Sequence, residues 1–371
     1  MPPSFLPLLH HLNTTPISTP TRWQDWHLTP ILGGANNLLY RATRGEDDYA
    51  VKFTVRDSRN RAGREFAALR ALEEVGRNLA PRAVWLDLDH FPHPVVVQTW
   101  LDGETLPGPP ETDPEWQALL NHFCAIHSLT PSRTTMKIGS ATTNCASGAA
   151  GKLMVAQNLE KLPPEARPGL LLNLLARFEM WTPPEWDPAP ISLCHVDPNW
   201  RNLIRRLSPD PGATHLEQGK IQALNFEAGF RDTSKCVAPG LASVDWENSG
   251  WGDPAFEIAD LMTHPAYESV LPARWEWVIE QYADQRARTA QDTNAALRIH
   301  TYYTVMLMWW VIRWARYLYE IPRGLDERLV PRPANWQEET ERKAERFLAR
   351  VEAHFDSLSV ISERKSSRTT F

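Results

Sequence analysis

The run Leu193-Cys194-His195-Val196-Asp197-Pro198-Asn199-Trp200-Arg201-Asn202 sets an Asp two residues after a His and an Asn five residues after that Asp. A second acidic cluster, Val244-Asp245-Trp246-Glu247, lies downstream and leads into Gly250-Trp251-Gly252-Asp253-Pro254. The first segment offers a carboxylate base and a neutral oxygen ligand, and the second offers two carboxylates for a hard cation. Hard oxygen donors suit Mg²⁺, which keeps several waters and takes only one or two carboxylates beside phosphate. A carboxylate in reach of an alcohol can orient it and take its proton. The chemistry this combination fits is phosphoryl transfer, where catalysis is mainly alignment and charge neutralisation. A His-x-Asp pair alone also serves as a helix cap, a loop hydrogen bond or one arm of a metal site. The Asn202 spacing together with Asp245-Trp246-Glu247 is the specific signal.

Such groups need a phosphate-covering loop and a cation for the triphosphate. Gly33-Gly34-Ala35-Asn36-Asn37 lies between strand patterns at 29–32 and 38–42, and Gly45 to Asp48 turns the chain into a third strand, 49–54, carrying Lys52. A lysine flanked by apolar residues on a strand is costly to bury without an anionic partner, and phosphate or Glu65 on the following helix would serve. Phe66, Leu69, Leu72 and Val75 give that helix one apolar face, with Gly76 near its end. Residues 94–100 read as a buried strand ending in a hinge at 98–103. There the main chain of Gln98, Thr99 and Trp100 would meet an adenine edge.

From about Glu115 the pattern turns helical: Leu119, Leu120, Phe123, Ile126 and His127 share a face, and 170–181 repeats the pattern. Residues 132–151 read as a linker or mobile loop. Asp292 or Thr293 is placed to cap a long helix running to Ile321 and stopped by Pro322. A charged amphipathic helix is expected over 338–355. The organisation expected is an N-terminal extension (1–24), a nucleotide-binding lobe (25–101), a helical lobe (102–355) with an insertion at about 208–240, and a flexible tail (356–371).

The bulk composition narrows the function. With 371 residues the chain is long enough for a bilobal enzyme. Its 39 basic and 45 acidic residues give −6, which argues against a nucleic-acid binder that relies on a basic face. The four cysteines lack zinc or Cys-x-x-Cys spacing and read as unpaired thiols of a reduced compartment. No secretory leader is recognisable in residues 1–15, and the apolar stretch 305–312 is too short to span a bilayer. A cytoplasmic protein without nucleic-acid or membrane partners is expected. The 31 prolines suggest rigid connections, and the 16 tryptophans are expected mostly in packing.

These residues resemble the aminoglycoside phosphotransferase and choline kinase family, a branch of the protein-kinase-like fold, over most of 25–320. The resemblance rests on Gly33-Gly34, Ala50-Val51-Lys52, Arg64-Glu65, the hinge, His195-Val196-Asp197 with Asn202, Asp245-Trp246-Glu247 and Gly252-Asp253-Pro254. It implies an α+β bilobal fold: a small antiparallel-sheet N-lobe with one helix, and a mainly helical C-lobe. It implies ATP-dependent phosphorylation of a small-molecule hydroxyl, with an aminoglycoside-, choline-, homoserine- or sugar-like acceptor. By motif position Asp197 becomes the catalytic residue, His195 a brace for its loop, and Asn202 and Asp245 metal ligands with Glu247 behind them. Gly33, Gly34, Asn36 and Lys52 become nucleotide contacts supported by Glu65.

Three departures stand out. Trp200 replaces a small residue or Pro, Glu257 stands where Asp is usual, and the segment between the two acidic motifs is long. They leave a nucleotide-binding pseudokinase as the alternative. A metal-dependent hydrolase using His127, His195 and Asp197 is the third reading.

Overall fold

The computed structural model describes residues 5–32, 36–206 and 240–368, with side chains to residue 359. Gly33 and Gly34, and nearly all of the segment expected as an insertion at 208–240, lie outside the described residues.

The N-terminal lobe is a six-stranded antiparallel sheet in the order β1-β2-β3-β4-β6-β5. Its strands are β1 Thr21–Trp23, β2 Trp26–Pro30, β3 Leu38–Arg44, β4 Asp47–Phe53, β5 Ala83–Asp87 and β6 Val95–Thr99. The turn at Gly45 (φ 58°) needs a left-handed residue, which glycine supplies without steric cost. β4 is central, pairing Lys52 with Leu39 on β3 and with Val96 on β6. Ala50, Val51 and Phe53 around it are buried. Helix α2, Arg61–Glu74, packs its Ala68, Leu69 and Leu72 face inward.

Helix α1, Leu6–Thr14, and strand β1 of this lobe lie in the stretch expected to be an extension, 1–24. The helix buries Leu8, Leu9 and Leu12, and with Phe5 they join the sheet's core beside Trp26 and Phe53. Burying such side chains stabilises a fold by roughly 1.5–3 kcal/mol each, so α1 is an integral layer of the lobe. Edge strand β5 carries Trp85, one of the aromatic residues expected in packing.

The hinge passes through 100–102 into β7, Gly103–Thr105, which pairs with β9, Leu203–Arg206; β9 in turn pairs with β10, Leu241–Ser243. A side chain at Gly103 would meet the Arg205 carbonyl, so the close strand approach requires glycine there. A second ribbon joins β8, Ser192–Cys194, to β11, Gly250–Gly252. The loops 195–202 and 244–249 therefore leave adjacent ribbons side by side.

The rest of the C-terminal lobe is helical: α3 Asp113–His127, α4 Gly148–Glu160, α5 Gly169–Met180, α6 Pro254–Thr263, α7 Pro272–Ala290, α8 Ala295–Glu320 and α9 Trp336–Arg368. Thr112 and Glu115 form a capping box for α3. Part of the stretch expected as a loop, 132–151, instead starts α4, where Ser147 accepts the Ala150 N–H. At the start of α8 the N-cap is Asn294, not Asp292 or Thr293, because both Asp292 oxygens are taken by Arg298. The last helix is longer than the expected 338–355 and continues into the stretch taken for a tail. No helix among the described residues is long and apolar enough to cross a membrane.

Candidate active site

Between the lobes lies a cavity of about 1470 Å³ whose lining includes Lys52, Gln98, Asp197, Asn202, Asp245 and Glu247. Residues separated by up to 195 positions thus face one space.

Lys52 reaches from β4 into a nest of carboxylates. Its Nζ is 2.7 Å from Glu65 Oε2 and 3.4 Å from Glu247 Oε2, and it also pairs with Asp245 Oδ1. Burial would lower its pKa, but the three carboxylates outweigh burial and hold it well above the ordinary value. Glu65, wholly buried on α2, is pushed up to about 7, chiefly by burial and against the pull of Lys52. Glu247 is committed to this cluster: Asn37 donates to its Oε2 at 2.5 Å, and Arg61 to its Oε1. Asn37 and Arg61 were not singled out in the sequence. Arg61 stands one helical turn before Glu65, the only signal that could have marked it.

The two acidic loops are tied together. The ring of His195, edge-on to Trp246 at 4.5 Å, donates from Nε2 to the Val244 carbonyl at 2.8 Å. Burial lowers its pKa and keeps it neutral, so it braces the loops. The Val244 N–H bonds to the Asn202 carbonyl at 2.9 Å, and Asn202 Nδ2 donates to the Asp197 carbonyl at 3.3 Å, leaving Asn202 Oδ1 for another partner. Val196 (φ 58°) and Asp245 (φ 68°) both adopt left-handed backbone. That is rare for a β-branched residue and costs on the order of 1–3 kcal/mol. Glu257 offsets it on α6: Oε1 accepts the Val196 N–H at 2.7 Å while Oε2 binds His127 Nε2 at 2.7 Å. The substitution of Glu for the usual Asp therefore leaves a supporting carboxylate in place.

Asp197 opens on the cavity, with its side chain 28% exposed, and Asp245 is 34% exposed. The Asp197 carboxyl is pushed up to about 7 by burial first and then by the charges of Asp245 and Glu247. For Asp245 burial raises the pKa, but Lys52 outweighs it and the net shift is downward. His264 Nε2 lies 3.7 Å from Asp197 Oδ1, and burial lowers its pKa to about 4. Trp200 lines the cavity and is held in place by a hydrogen bond from its Nε1 to the Ala266 carbonyl at 3.0 Å.

At the hinge the main chain is less free than expected. The Thr99 N–H donates to Arg82 and the Trp100 N–H to Asp48, at 2.9 and 3.0 Å. Trp100 lies under the Arg41 guanidinium, 4.6 Å from its centroid. The unused group is the Gln98 side chain, whose buried Oε1 has no hydrogen-bond partner and which lines the cavity. An amino group on a bound base fits that orphaned acceptor. Asn36 also lines the cavity, where its carbonyl accepts the Leu329 N–H at 2.9 Å.

The hydrolase trio does not assemble. His127 has both nitrogens engaged, by Tyr282 and Glu257, and groups with Cys194 and Glu257 in the interior, away from the cavity. The described cysteines, Cys124, Cys145 and Cys194, are free and buried.

Solved structures of similar fold include a candidate aminoglycoside phosphotransferase from Ralstonia eutropha, 13% identical with a TM-score of 0.58, covering 95% of this chain and 97% of that one. A thermostable mutant of aminoglycoside phosphotransferase APH(4)-Ia, solved with ADP and hygromycin B, is 13% identical with a TM-score of 0.52, covering 89% and 93%. Choline kinase LicA from Streptococcus pneumoniae is 14% identical with a TM-score of 0.52, covering 93% and 99%. These likenesses carry the bilobal kinase-like fold. No curated protein matches the chain. The model of the phosphotransferase enzyme family matches residues 27–214, just over half the sequence and inclusive of Lys52, Glu65, Asp197 and Asn202. The chain belongs to the phosphotransferase enzyme family.

Proposed function

We propose that this protein is an ATP-dependent kinase that moves the γ-phosphoryl group to a hydroxyl of a small molecule. The observation that carries the reading is the meeting of Asp197, Asn202, Asp245 and Lys52 in one interlobe cavity. In this reading Asp197 orients the acceptor hydroxyl. The acceptor oxygen forms its bond to the γ-phosphorus as the bond to the β–γ bridging oxygen breaks. ADP leaves with that electron pair, and the hydroxyl proton goes to Asp197.

The donor set fits Mg²⁺. Around Lys52 and Arg61 stand Glu65, Asp197, Asp245 and Glu247, and both Glu65 and Asp197 are pushed up to about 7, so the cluster lacks positive charge. Asp245 and the free Oδ1 of Asn202 would hold the ion, with Glu247 orienting Lys52. Bound there, Mg²⁺ supplies neutralisation of the phosphate oxygens. Lys52 anchors the α- and β-phosphates with Glu65 behind it. Gln98 takes the base amino group, and Asn36 with Gly33 and Gly34 covers the phosphates. The expected division of the chain stands as a nucleotide lobe and a helical lobe joined near 98–103, with the expected extension now counted in the first.

The test is ATP turnover with a panel of amino alcohols, sugars and aminoglycosides, read as ADP release and as phosphate added to the acceptor by mass spectrometry. Asp197→Asn is expected to lose about 10²–10⁴ in kcat, the span of general acid–base contributions. Undiminished turnover in that variant overturns the reading. ATP binding by the wild-type protein with no transfer to any acceptor supports the pseudokinase instead.

A further inference from the structure

Beyond Asp197 the cavity changes sign. His264, 3.7 Å from Asp197, meets the ring of Trp310 on α8 at 5.6 Å. From there Arg313, Arg316, Tyr317 and Glu320 follow at helical spacing along the same wall. At 1.5 Å per residue, Arg316 stands about 9 Å along α8 from Trp310. Residues 321–335 then cross back to the N-terminal lobe. Leu329 packs against the sheet's core, and Arg328 Nε donates to Asn36 Oδ1 at 3.4 Å. This strap adds Arg328 and Arg332 to the lining, and Lys161 joins them from the end of α4.

These five cations share the wall with Glu320, Asp326 and Glu327. Glu320 is consumed by Arg316, 2.7 Å from its Nε, and Asp326 by Arg332. Arg328 has no carboxylate within ion-pair distance among the described residues, and Arg313 reaches Glu320 only at 3.9 Å while its Nη2 donates to Tyr317 at 2.9 Å. Burial pushes Arg328 below its ordinary pKa. At Arg332 burial does the same, and neighbouring Arg313 adds to it. Cations held near one another without enough anions are favourable only toward an incoming negative group.

We propose that the acceptor is an anionic polyol, bearing a phosphate or a carboxylate that Arg313 and Arg328 hold while one of its hydroxyls reaches Asp197 in the same cavity. The inference rests on the kinase reading of the same cavity. It opposes the cationic acceptors, aminoglycosides and choline, that the resemblance of the sequence includes. Guanidinium forks suit both oxyanions, and the neighbouring indole faces of Trp309 and Trp310 suit an apolar sugar face.

The experiment compares D-glucose 6-phosphate, D-gluconate, D-glucose, choline and kanamycin as acceptors of the full-length protein with ATP and Mg²⁺. The expected result is kcat/KM at least about tenfold higher for one or both anions than for glucose, choline or kanamycin, the scale of one charged hydrogen bond. The phosphate and carboxylate arms decide which oxyanion is bound. Arg313→Met should raise KM for the preferred anion about tenfold with KM for ATP unchanged; Arg328→Met, as an independent variant, should raise KM for that anion by a similar factor, and Arg328→Lys should recover part of the loss. Preference for choline or kanamycin overturns the inference and leaves the kinase reading intact, as does an effect of both variants on KM for ATP alone. Absence of ATP binding and of transfer to every acceptor instead defeats the kinase reading and this inference with it.

Discussion

Two buried ion networks come close in sequence only between Glu247 and Asp253, and they differ in how they are closed. In one, Arg298 pairs with Asp253 at 2.8 Å and Asp292 at 2.7 Å, Tyr302 donates to Asp253, and Arg286 approaches Asp292 at 3.7 Å. Two cations face two carboxylates, and none of the four side chains is more than 4% exposed. In the other, Lys52 and Arg61 face Glu65, Asp197, Asp245 and Glu247 around an open cavity. The closed network fixes α6 and α8 against each other; Asp253 also caps α6 by accepting the Ala255 N–H. The open one leaves negative charge unneutralised where a cation and a triphosphate would enter. Burial of charge alone does not mark a functional site; an unbalanced count facing solvent does.

The closed network should break the fold. Arg298→Met strands Asp253 and Asp292 in the interior, and removing one partner of a buried pair typically costs about 3–5 kcal/mol. Chemical denaturation should show that loss. A change under about 1 kcal/mol would mean that the network is no more structural than a surface pair.

The open network should break activity instead. Lys52→Met removes the cation proposed to face the phosphates, and kcat should fall by about 10²–10³, as for other single groups that stabilise developing charge. Its stability loss should be smaller than that of Arg298→Met, because Glu65 is already pushed up to about 7 and can take a proton in the lysine's absence. Equal stability losses in the two variants would erase the distinction.

The same contrast explains what was legible in the sequence. Asp197, Asn202, Asp245 and Lys52 could be picked out because their spacing within short segments reflects local geometry: the loop between two ribbons, and a strand facing a cleft. Asn37 and Arg61 could not, since their role is a contact with Glu247 across 210 and 186 residues. Helix α1 escaped because Phe5, Leu8, Leu9 and Leu12 make too short a pattern to separate from an apolar tail before a sheet is present to bury them. The cap of α8 was misplaced for a different reason: Asp292 has the right local chemistry for a cap, but the Arg298 side chain, six residues on in the helix itself, takes both of its oxygens. The hinge amides of Thr99 and Trp100 were overrated because their pairing with Arg82 and Asp48 depends on sheet register.

A smaller effect is expected where the two regions touch. Glu257 links α6, tied to the closed network, to the strained Val196 beside Asp197. Glu257→Ala leaves the Val196 N–H and the His127 ring without their shared acceptor, and kcat should fall by roughly tenfold or more, since an orphaned buried donor costs about 1–3 kcal/mol. KM for ATP should stay near its starting value. Glu257→Gln keeps an acceptor for Val196 and should retain most of the rate, because the His127 ring can change tautomer to receive the new amide. If Gln were as harmful as Ala, charge at 257 rather than support of the loop would be the requirement.

The smallest effect is a displacement on the pH axis. In the proposed reaction Asp197 must be ionised to take a proton, and burial together with Asp245 and Glu247 pushes its carboxyl up to about 7. The kcat/KM profile should therefore rise with pH through an apparent pKa close to 7 and then level off. Positive charge beside it favours the ionised form, so the corresponding limb in kcat, measured with Mg²⁺ and nucleotide bound, should lie at lower pH. Glu247→Gln removes one of the two repelling charges while leaving burial, the larger cause, in place. Its residual activity should show the kcat/KM limb moved down by less than about one pH unit. An upward movement would mean that Asp197 does not feel the open network, and the limb would then belong to another group.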